Sequence, residues 1–268
     1  MTKNRNLKLS NRPSQAFETR RPSDYLLRAA GSTAGQAYKS LAIERLGIEE
    51  GDAVLDLGCG TGGDLGPLLS SIGSTGSVIG VDVDATALEV AHEQYADPRL
   101  RLTVGDAHAL ELDSFSIDRV YVDRTMQHVA AATTVLDEVR RVLRPGGRVL
   151  LAEPDWRTLL IDHPEPDLSE AYWQFVVGQV IRNARIGSEL PRLVQNADLE
   201  LESVSPVTVT YTDAIDADRI FGFARVTHRA VKAGYLTPDQ ASRWLGHLEG
   251  PVFFASLTIF VTAARKAG

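Results

Sequence analysis

The sequence contains a single cysteine, Cys59, in 268 residues. An intrachain disulfide is therefore excluded, and so is a zinc site built from several cysteines. No stretch of about 18 continuous apolar residues occurs, which argues against a membrane span. The polar N-terminal segment also lacks the apolar core of a signal peptide. These absences predict a cytoplasmic protein.

The chain also lacks an excess of basic residues. Its 28 lysines and arginines face 35 aspartates and glutamates, which gives a formal net charge of −7. Phosphate backbones are bound by basic surfaces, so a nucleic-acid duplex is not expected as the main partner. A hydrophobic content of 44% and a charged content of 24% fit a globular protein. The length suits one large α/β domain, alone or with an appendage.

The middle of the chain alternates short apolar segments with helical patterns. The five candidate strands are Val54–Leu57, Val78–Val83, Leu100–Val104, Arg119–Val122 and Arg148–Ala152. Between them, apolar stripes of helical period begin at Leu65 and Val135, and Asp84 is placed to cap a third helix. Such alternation predicts a parallel sheet with right-handed crossovers and helices on both faces.

After Ala152 the pattern changes to longer helical segments and two late strands. A helical region is predicted over Ser169–Ala197, a strand over Leu201–Tyr211, and a last strand within 252–266. A further helix begins at Thr237, where Gln240 completes a capping box. The late strands predict an antiparallel addition to the sheet with an inserted helical cover.

The segment "VLDLGCGTGG", Val54–Gly63, joins a predicted strand to a predicted helix. Glycine there allows unusual backbone angles and lets a ligand approach closely, and the helix N-terminus adds oriented N–H groups. The spacing satisfies both G-x-G-x-x-G, the dinucleotide pattern, and G-x-G-x-G. The glycines indicate a nucleotide site without deciding which nucleotide.

Three carboxylates at predicted strand ends narrow the choice. Asp56 would repel a pyrophosphate and favour a cation such as the ammonium and sulfonium of S-adenosylmethionine, unless it merely binds nearby amides. Asp82 suits hydrogen bonds to ribose hydroxyls, since the alternative capping role is better filled by Asp84. Asp106 could accept from an adenine amino group, or could simply close a turn.

Five segments in order resemble the motifs of class I S-adenosylmethionine-dependent methyltransferases, in particular the ubiquinone/menaquinone-biosynthesis-like (type 11) group. They are "VLDLGCGTGG", "VIGVDVD", "GDAHAL", "IDRVYVDRTMQHV" and "VRRVLRPGGRVLLAEPDW". The resemblance covers about residues 37–156. It implies an α/β, Rossmann-like seven-stranded sheet of order 3-2-1-4-5-7-6 with strand 7 antiparallel. It also implies an N-terminal helical lid within residues 1–36, ahead of a methyltransferase domain at 37–268 with cover insertions at about 157–197 and 213–250.

The resemblance also assigns roles by position. Asp56, Gly58 and Gly60 would border the methionine moiety of S-adenosylmethionine, and Asp82 would bind its ribose. Val83 would pack on the adenine, while Asp106 and Ala107 would read the adenine edge. Arg124 would place a backbone carbonyl near the donor's amino group. No metal site is expected.

Methyl transfer from a sulfonium requires mainly alignment of the acceptor and exclusion of water. A general base is needed only if the acceptor keeps its proton at neutral pH, and His128 is the candidate, unless it is a locally bonded helix residue. The predicted acceptor contacts are Tyr25, in the lid segment, and Glu153, Asp155 and Trp156, after the fifth strand. Arg182 and Arg185, three residues apart on a predicted helix, would face solvent or bind an acceptor carboxylate or phosphate.

The sequence thus predicts a methyltransferase that uses S-adenosylmethionine to methylate a small organic molecule of the quinone-like, polyketide, terpenoid or alkaloid classes. Two alternatives remain open at this point. One is a protein of the same fold that acts as a non-methylating cyclase or binding module. The other is an NAD-dependent oxidoreductase on a similar sheet.

Overall fold

The computed structural model describes residues 33–268, and Tyr25 lies outside them. The strands are β1 (Ala53–Leu57), β2 (Ser77–Asp82), β3 (Leu100–Val104), β4 (Ile117–Asp123), β5 (Leu143–Ile161), β6 (Leu199–Tyr211) and β7 (Ala255–Lys266). They form one sheet of order β3-β2-β1-β4-β5-β7-β6. Strands β1 to β5 pair in parallel and β7 is antiparallel to both its neighbours, which confirms the predicted fold.

The helices connect these strands and cover the sheet. They are α1 (Thr33–Leu46), α2 (Leu65–Ser71), α3 (Ala85–Gln94), α4 (Ala132–Val142), α5 (Pro166–Phe175), α6 (Ile186–Asn196), α7 (Ala214–Phe221), α8 (Phe223–Lys232) and α9 (Pro238–Leu248). Helix α1 runs across the domain boundary predicted between residues 36 and 37. Asp84 accepts from two backbone amides of α3, and Thr237 forms the predicted capping box with Gln240.

The helical cover is more broken than the sequence pattern predicts. The long helix predicted over Ser169–Ala197 is interrupted by a π-helical segment, Val176–Val180, and by a turn over residues 181–185. Arg182 and Arg185 therefore share no helix face. Further along the chain, helices α7 and α8 are divided at Gly222, whose φ of +61° ends α7 in the left-handed region.

Two apolar cores sandwich the sheet, as expected for strands buried on both faces. Helices α1, α2 and α3 and the cover helices α5, α7, α8 and α9 pack on one face. Helices α4 and α6 pack on the other. Within residues 33–268, no helix combines the length and the apolar character needed to cross a membrane.

Candidate functional site

A cavity of about 1150 Å³ opens at the carboxyl ends of β1, β2 and β4. This is the edge where open α/β sheets bind ligands. One end of the cavity is lined by the glycine loop, Gly58–Asp64, and by the segments that follow β2, β3 and β4. The other end lies under the helical cover and against β6 and β7. We call these the donor end and the cover end.

The glycine loop approaches the chain after β4 so closely that no side chain fits. Gly58 has a φ of +80°, and a Cβ built on it would lie 2.0 Å from the Thr125 Oγ1. The Gly58 and Cys59 amides both donate to the Val81 carbonyl, at 2.7 and 3.2 Å. The loop is thereby fixed to β2 on one side and packed against Thr125 on the other.

We expect Gly58→Ala to destabilise the protein more than Gly146→Ala. Both glycines have a positive φ, but a Cβ at Gly146 meets nothing within 4 Å. The difference measures the steric conflict with Thr125 and should be about 2 kcal/mol in free energy of unfolding. Urea denaturation of the two variants measures it, and equal losses would mean that the contact with Thr125 is unimportant.

Asp82 connects the end of β2 to the glycine loop. Its Oδ2 accepts from the Gly60 amide at 2.8 Å, and its Oδ1 accepts from the Asp84 amide at 2.9 Å. Asp82 and the adjoining Val83 line the cavity, and Val83 is 72% exposed. Each carboxylate oxygen has a second acceptor position, so Asp82 can still receive hydroxyl protons from a ligand.

Asp106 closes a turn and also borders the cavity. Its Oδ1 accepts from the His108 amide at 2.9 Å and lies 2.6 Å from the His108 Nδ1. The hydrogen bond from the His108 amide, and next the one from its side chain, hold the pKa of Asp106 below its usual value. The side chain of Asp106 is 66% exposed. Its position beside Ala107 is thus compatible with both predicted roles of Asp106, closing a turn and contacting a ligand.

A buried charged cluster lies under the donor end, and the sequence did not reveal it. The Lys39 Nζ lies 2.6 Å from Asp64 and 3.2 Å from Asp123, and the Tyr38 hydroxyl donates to Asp123. Burial lowers the pKa of Lys39, but Asp123 and Asp64 outweigh it, and the net shift is upward. Burial raises the pKa of Asp123, but Arg124 and Lys39 bring it below its usual value. The lysine and Asp123 are therefore ionised.

Asp56 lies behind the glycine loop, not on the cavity wall. It is 3% exposed, and its Oδ2 is buried without a hydrogen-bond partner in the described part of the chain. Burial, and then the charge of Asp64, raise its pKa well above the usual value. This placement differs from the predicted border with the methionine moiety. Asp56 can act on a ligand only through its charge or through an intervening group.

Glu153 and Asp155 also differ from their predicted roles, because neither lines the cavity. Glu153 is fully buried and accepts from the amides of Thr125 and Met126, both at 2.7 Å. Burial raises its pKa to about 8 against the effect of these hydrogen bonds. Asp155 is held by Arg157 at 2.6 Å. Glu153 therefore positions the loop after β4.

That loop carries Arg124, Gln127 and His128 into the cavity. Arg124 has a φ of +51°, and its carbonyl accepts from the Gln127 Nε2 at 2.9 Å. The Gln127 Oε1 accepts from the Trp156 Nε1 at 2.8 Å. Trp156 lines the cavity, alone among the predicted acceptor contacts within residues 33–268, and is thereby fixed to this loop. His128 lies in a turn, not in a helix. Burial and the charge of Arg124 lower its pKa.

Hydrogen bonds also join the helical cover to the loop after β4. The Asn183 Nδ2 donates to the carbonyls of Met126 and Val129, both at 2.8 Å. The neighbouring Arg182 lines the cavity, as do Arg225 and Arg229 of α8. Sequence reasoning assigned no role to the α8 arginines. Within residues 33–268, no group of three or more His, Cys, Asp or Glu residues is arranged to hold a metal ion.

The sheet order and the acid-bordered glycine loop define a Rossmann-like protein with a site for a nucleoside cofactor. A methyltransferase-domain family model matches residues 54–147. A 37.1 kDa protein in transposon TN4556 of Streptomyces fradiae is 41% identical over 254 residues, which are 94% of this chain and 74% of that protein. The demethylmenaquinone methyltransferase of Oceanobacillus iheyensis is 32% identical over 128 residues, or 47% of this chain and 54% of the enzyme.

Solved structures support the fold. An S-adenosylmethionine-dependent methyltransferase from Mesorhizobium loti matches with a TM-score of 0.56 and 17% identity, covering 88% of this chain and 100% of that one. The [4+2]-cyclase SpnF matches with a TM-score of 0.60 and 17% identity, covering 91% of this chain and 92% of that one.

The chain belongs to the class I S-adenosylmethionine-dependent methyltransferases. Its cofactor is S-adenosylmethionine, and the oxidoreductase alternative is set aside. The chain spans about half the length of the demethylmenaquinone methyltransferases that it matches.

Proposed function

We propose that this protein transfers a methyl group from S-adenosylmethionine to a small organic acceptor with an apolar body. The observation that carries the proposal is the single cavity that joins the donor end to the cover end. Its volume of about 1150 Å³ exceeds the ~300–1,000 Å³ usual for one small-molecule site. It therefore has room for a nucleoside cofactor and a second molecule together.

The donor end suits a cation. Four carboxylates line it, namely Asp64, Asp82, Asp106 and Asp123. Among the described residues that line this end, the lysine and arginine that oppose them are Lys39 and Arg124. In this proposal Asp82 holds the ribose, Val83 and Ala107 flank the adenine, and the Arg124 carbonyl receives the amino group. Gly58 and Gly60 leave room for the methionine part.

When bound, S-adenosylmethionine supplies a methyl group on a positively charged sulfur, which an acceptor atom can take by in-line displacement. The chain's own contribution is alignment and exclusion of water. The Glu153 carboxylate fixes the loop after β4 by accepting hydrogen bonds from two of the loop's amides. The Asn183 side chain fixes the cover to the same loop. Both ends of the cavity are thus held against the same short segment.

The cover end is mainly apolar. Val209, Tyr211, Leu257 and Ile259 line it from β6 and β7, and Trp156 and Phe221 enclose it. Paired residues of the two strands, Val209 and Leu257, put these side chains on one face of the sheet. Such a wall suits an aromatic or aliphatic acceptor. The acceptor named for the Oceanobacillus iheyensis relative, demethylmenaquinone, is of this kind.

The decisive experiment measures S-adenosylhomocysteine release from the full chain with a panel of small organic acceptors. Quinone-like, polyketide, terpenoid and alkaloid molecules belong in the panel, together with a DNA duplex as the negative control. Release that depends on one class of apolar acceptor supports the proposal. Release with the duplex alone would contradict both the acceptor class and the expectation that nucleic acid is not a partner.

His128 is proposed as the general base or an acceptor contact, and we expect His128→Ala to lower turnover by about 10²-fold or more while donor affinity is unchanged. Because its pKa lies below the usual 6.5, the imidazole is neutral at pH 7 and able to take a proton. Turnover should rise with pH up to that pKa and then stay level. The matched control is His92→Ala, an exposed residue of α3 outside the cavity. Full turnover in His128→Ala would remove this role.

A second candidate function is cyclisation or binding without methyl transfer, because SpnF, a [4+2]-cyclase, shares the fold over 91% of this chain. It predicts donor binding with no S-adenosylhomocysteine release from any acceptor.

Two predictions of the sequence lie beyond the described residues or the fold. The N-terminal segment 1–36, with Tyr25 as an acceptor contact, is proposed as a lid. A cytoplasmic setting remains a prediction of the sequence.

A further inference from the structure

The charges that line the cavity are separated by sign. All four lining carboxylates belong to the donor end and precede residue 124. The cover end contributes three arginines, Arg182, Arg225 and Arg229, and within the described chain none of its carboxylates lines the cavity. An acidic donor end fits a cationic donor. The basic cover end requires a different explanation.

The three arginines are not held by ion pairs within 4.0 Å in the described part of the chain, in contrast to their neighbours. Arg185 and Arg192, which do not line the cavity, both pair with Glu189. Arg229 lies over the ring of Phe175, 5.8 Å from its centroid. The Asp218 carboxylate lies within electrostatic range of Arg225, and it accepts from the Phe223 amide at 2.5 Å.

The arginines lie on two elements that meet at the cavity. Arg225 and Arg229 are four residues apart on α8, so they share a helix face, and Val226 of the same helix lines the cavity beside them. Arg182 lies in the turn that Asn183 fastens to the loop of His128. All three are exposed, which places them at the mouth rather than in the apolar interior.

We propose that the acceptor is an amphipathic anion, whose apolar body lies against β6 and β7 and whose carboxylate or phosphate group is bound by Arg182, Arg225 and Arg229. The inference rests on the proposed function and names the acceptor class for that cavity. Guanidinium groups recognise oxyanions of both kinds through paired N–H donors, and an apolar wall alone would not require them.

The test uses four probes with the same eight-carbon chain: octanoate, octyl phosphate, octanol and octyltrimethylammonium. Each is titrated by calorimetry into the full chain loaded with S-adenosylhomocysteine. We expect both anions to bind at least about tenfold more tightly than octanol, the size of one charge-assisted hydrogen bond. The cation should bind more weakly than octanol. The tighter anion shows whether the natural group is a carboxylate or a phosphate.

Variants then assign the selectivity to the arginines. Arg182→Gln and Arg229→Gln should each lower the anion affinities about tenfold and leave the octanol affinity unchanged. Arg192→Gln, on α6 and outside the cavity, is the matched control and should change neither. Because octanol reports on the apolar wall, a variant that merely misfolds would lose all binding and be recognised.

Three outcomes would overturn the inference: no binding of either anion, equal binding of anions and cation, or unchanged anion affinity in both arginine variants. In each case retained binding of S-adenosylhomocysteine leaves the proposed function standing. Loss of S-adenosylhomocysteine binding by the unaltered chain would instead contradict the proposed function and remove the inference with it.

Discussion

Asp82→Ala is expected to weaken binding of S-adenosylhomocysteine about 100-fold. Two hydrogen bonds from ribose hydroxyls to a carboxylate, each of about 1.5 kcal/mol or more, account for this loss. The alanine also releases the Gly60 amide from Oδ2, so the glycine loop becomes less ordered and the effect increases. Calorimetric titration of the donor product into the variant measures the change.

The control for this experiment lies two residues away. Asp84→Ala removes the cap of α3 and should cost about 1 kcal/mol of unfolding free energy. Because Asp84 does not line the cavity, the affinity for S-adenosylhomocysteine should be unchanged. Unchanged affinity in Asp82→Ala would show that the ribose is bound elsewhere and would remove Asp82 from the site.

Lys39→Met is expected to lower the free energy of unfolding by about 3–5 kcal/mol at pH 7, since removal of one partner leaves buried charges uncompensated. Methionine is unbranched and only one heavy atom shorter than lysine, so the effect is mainly electrostatic. Asp64 then loses its cation, and Asp123 loses one of two but keeps the Arg124 Nε at 3.3 Å. Protonation of these carboxylates relieves the repulsion, and the loss should therefore be smaller at pH 5 than at pH 7. Urea denaturation at the two pH values measures it.

A matched control and a second readout keep this prediction specific. Lys232→Met, an exposed lysine of α8, should change stability by less than about 0.5 kcal/mol. Removal of Lys39 also makes the donor end more negative, so the variant should bind S-adenosylmethionine, which carries the sulfonium charge, more tightly relative to neutral S-adenosylhomocysteine. A stability equal to that of Lys232→Met would mean that the cluster is not ionised.

Local rules predicted a large part of this fold. The apolar runs located β1 to β4 to within two residues, and the side chains of Asp84 and Thr237 marked two helix starts. The strand order required the resemblance to a family, because pairing of β7 between β5 and β6 depends on contacts distant in sequence. Strand β5 is much longer than predicted, because its pairing with β7 extends it to Ile161.

The cavity lining was predictable where a residue's place follows from its position at a strand end, while the roles of these residues toward the donor stay predictions. Asp82, Val83 and Ala107 line the cavity for that reason. Lys39 was missed because its partners, Asp64 and Asp123, lie 25 and 84 residues away and no local pattern connects them. Glu153 was assigned to the acceptor because the fifth strand was predicted to end at Ala152, but β5 continues past it and the amides after β4 bind its carboxylate.

Strand β5 separates the donor end of the cavity from the cover end in the order of the described chain. Every residue of the donor end precedes Ala131, and every residue of the cover end follows Glu153. In the proposed function the cover end holds the acceptor body, so recombination within β5 would join the same donor end, with His128, to a new acceptor wall. The matched methyltransferase-domain model covers residues 54–147, so it includes the glycine loop and stops before the cover end. An incoming segment would have to keep the pairing of β7 with β5 and a side chain that, like Asn183, donates to the loop after β4.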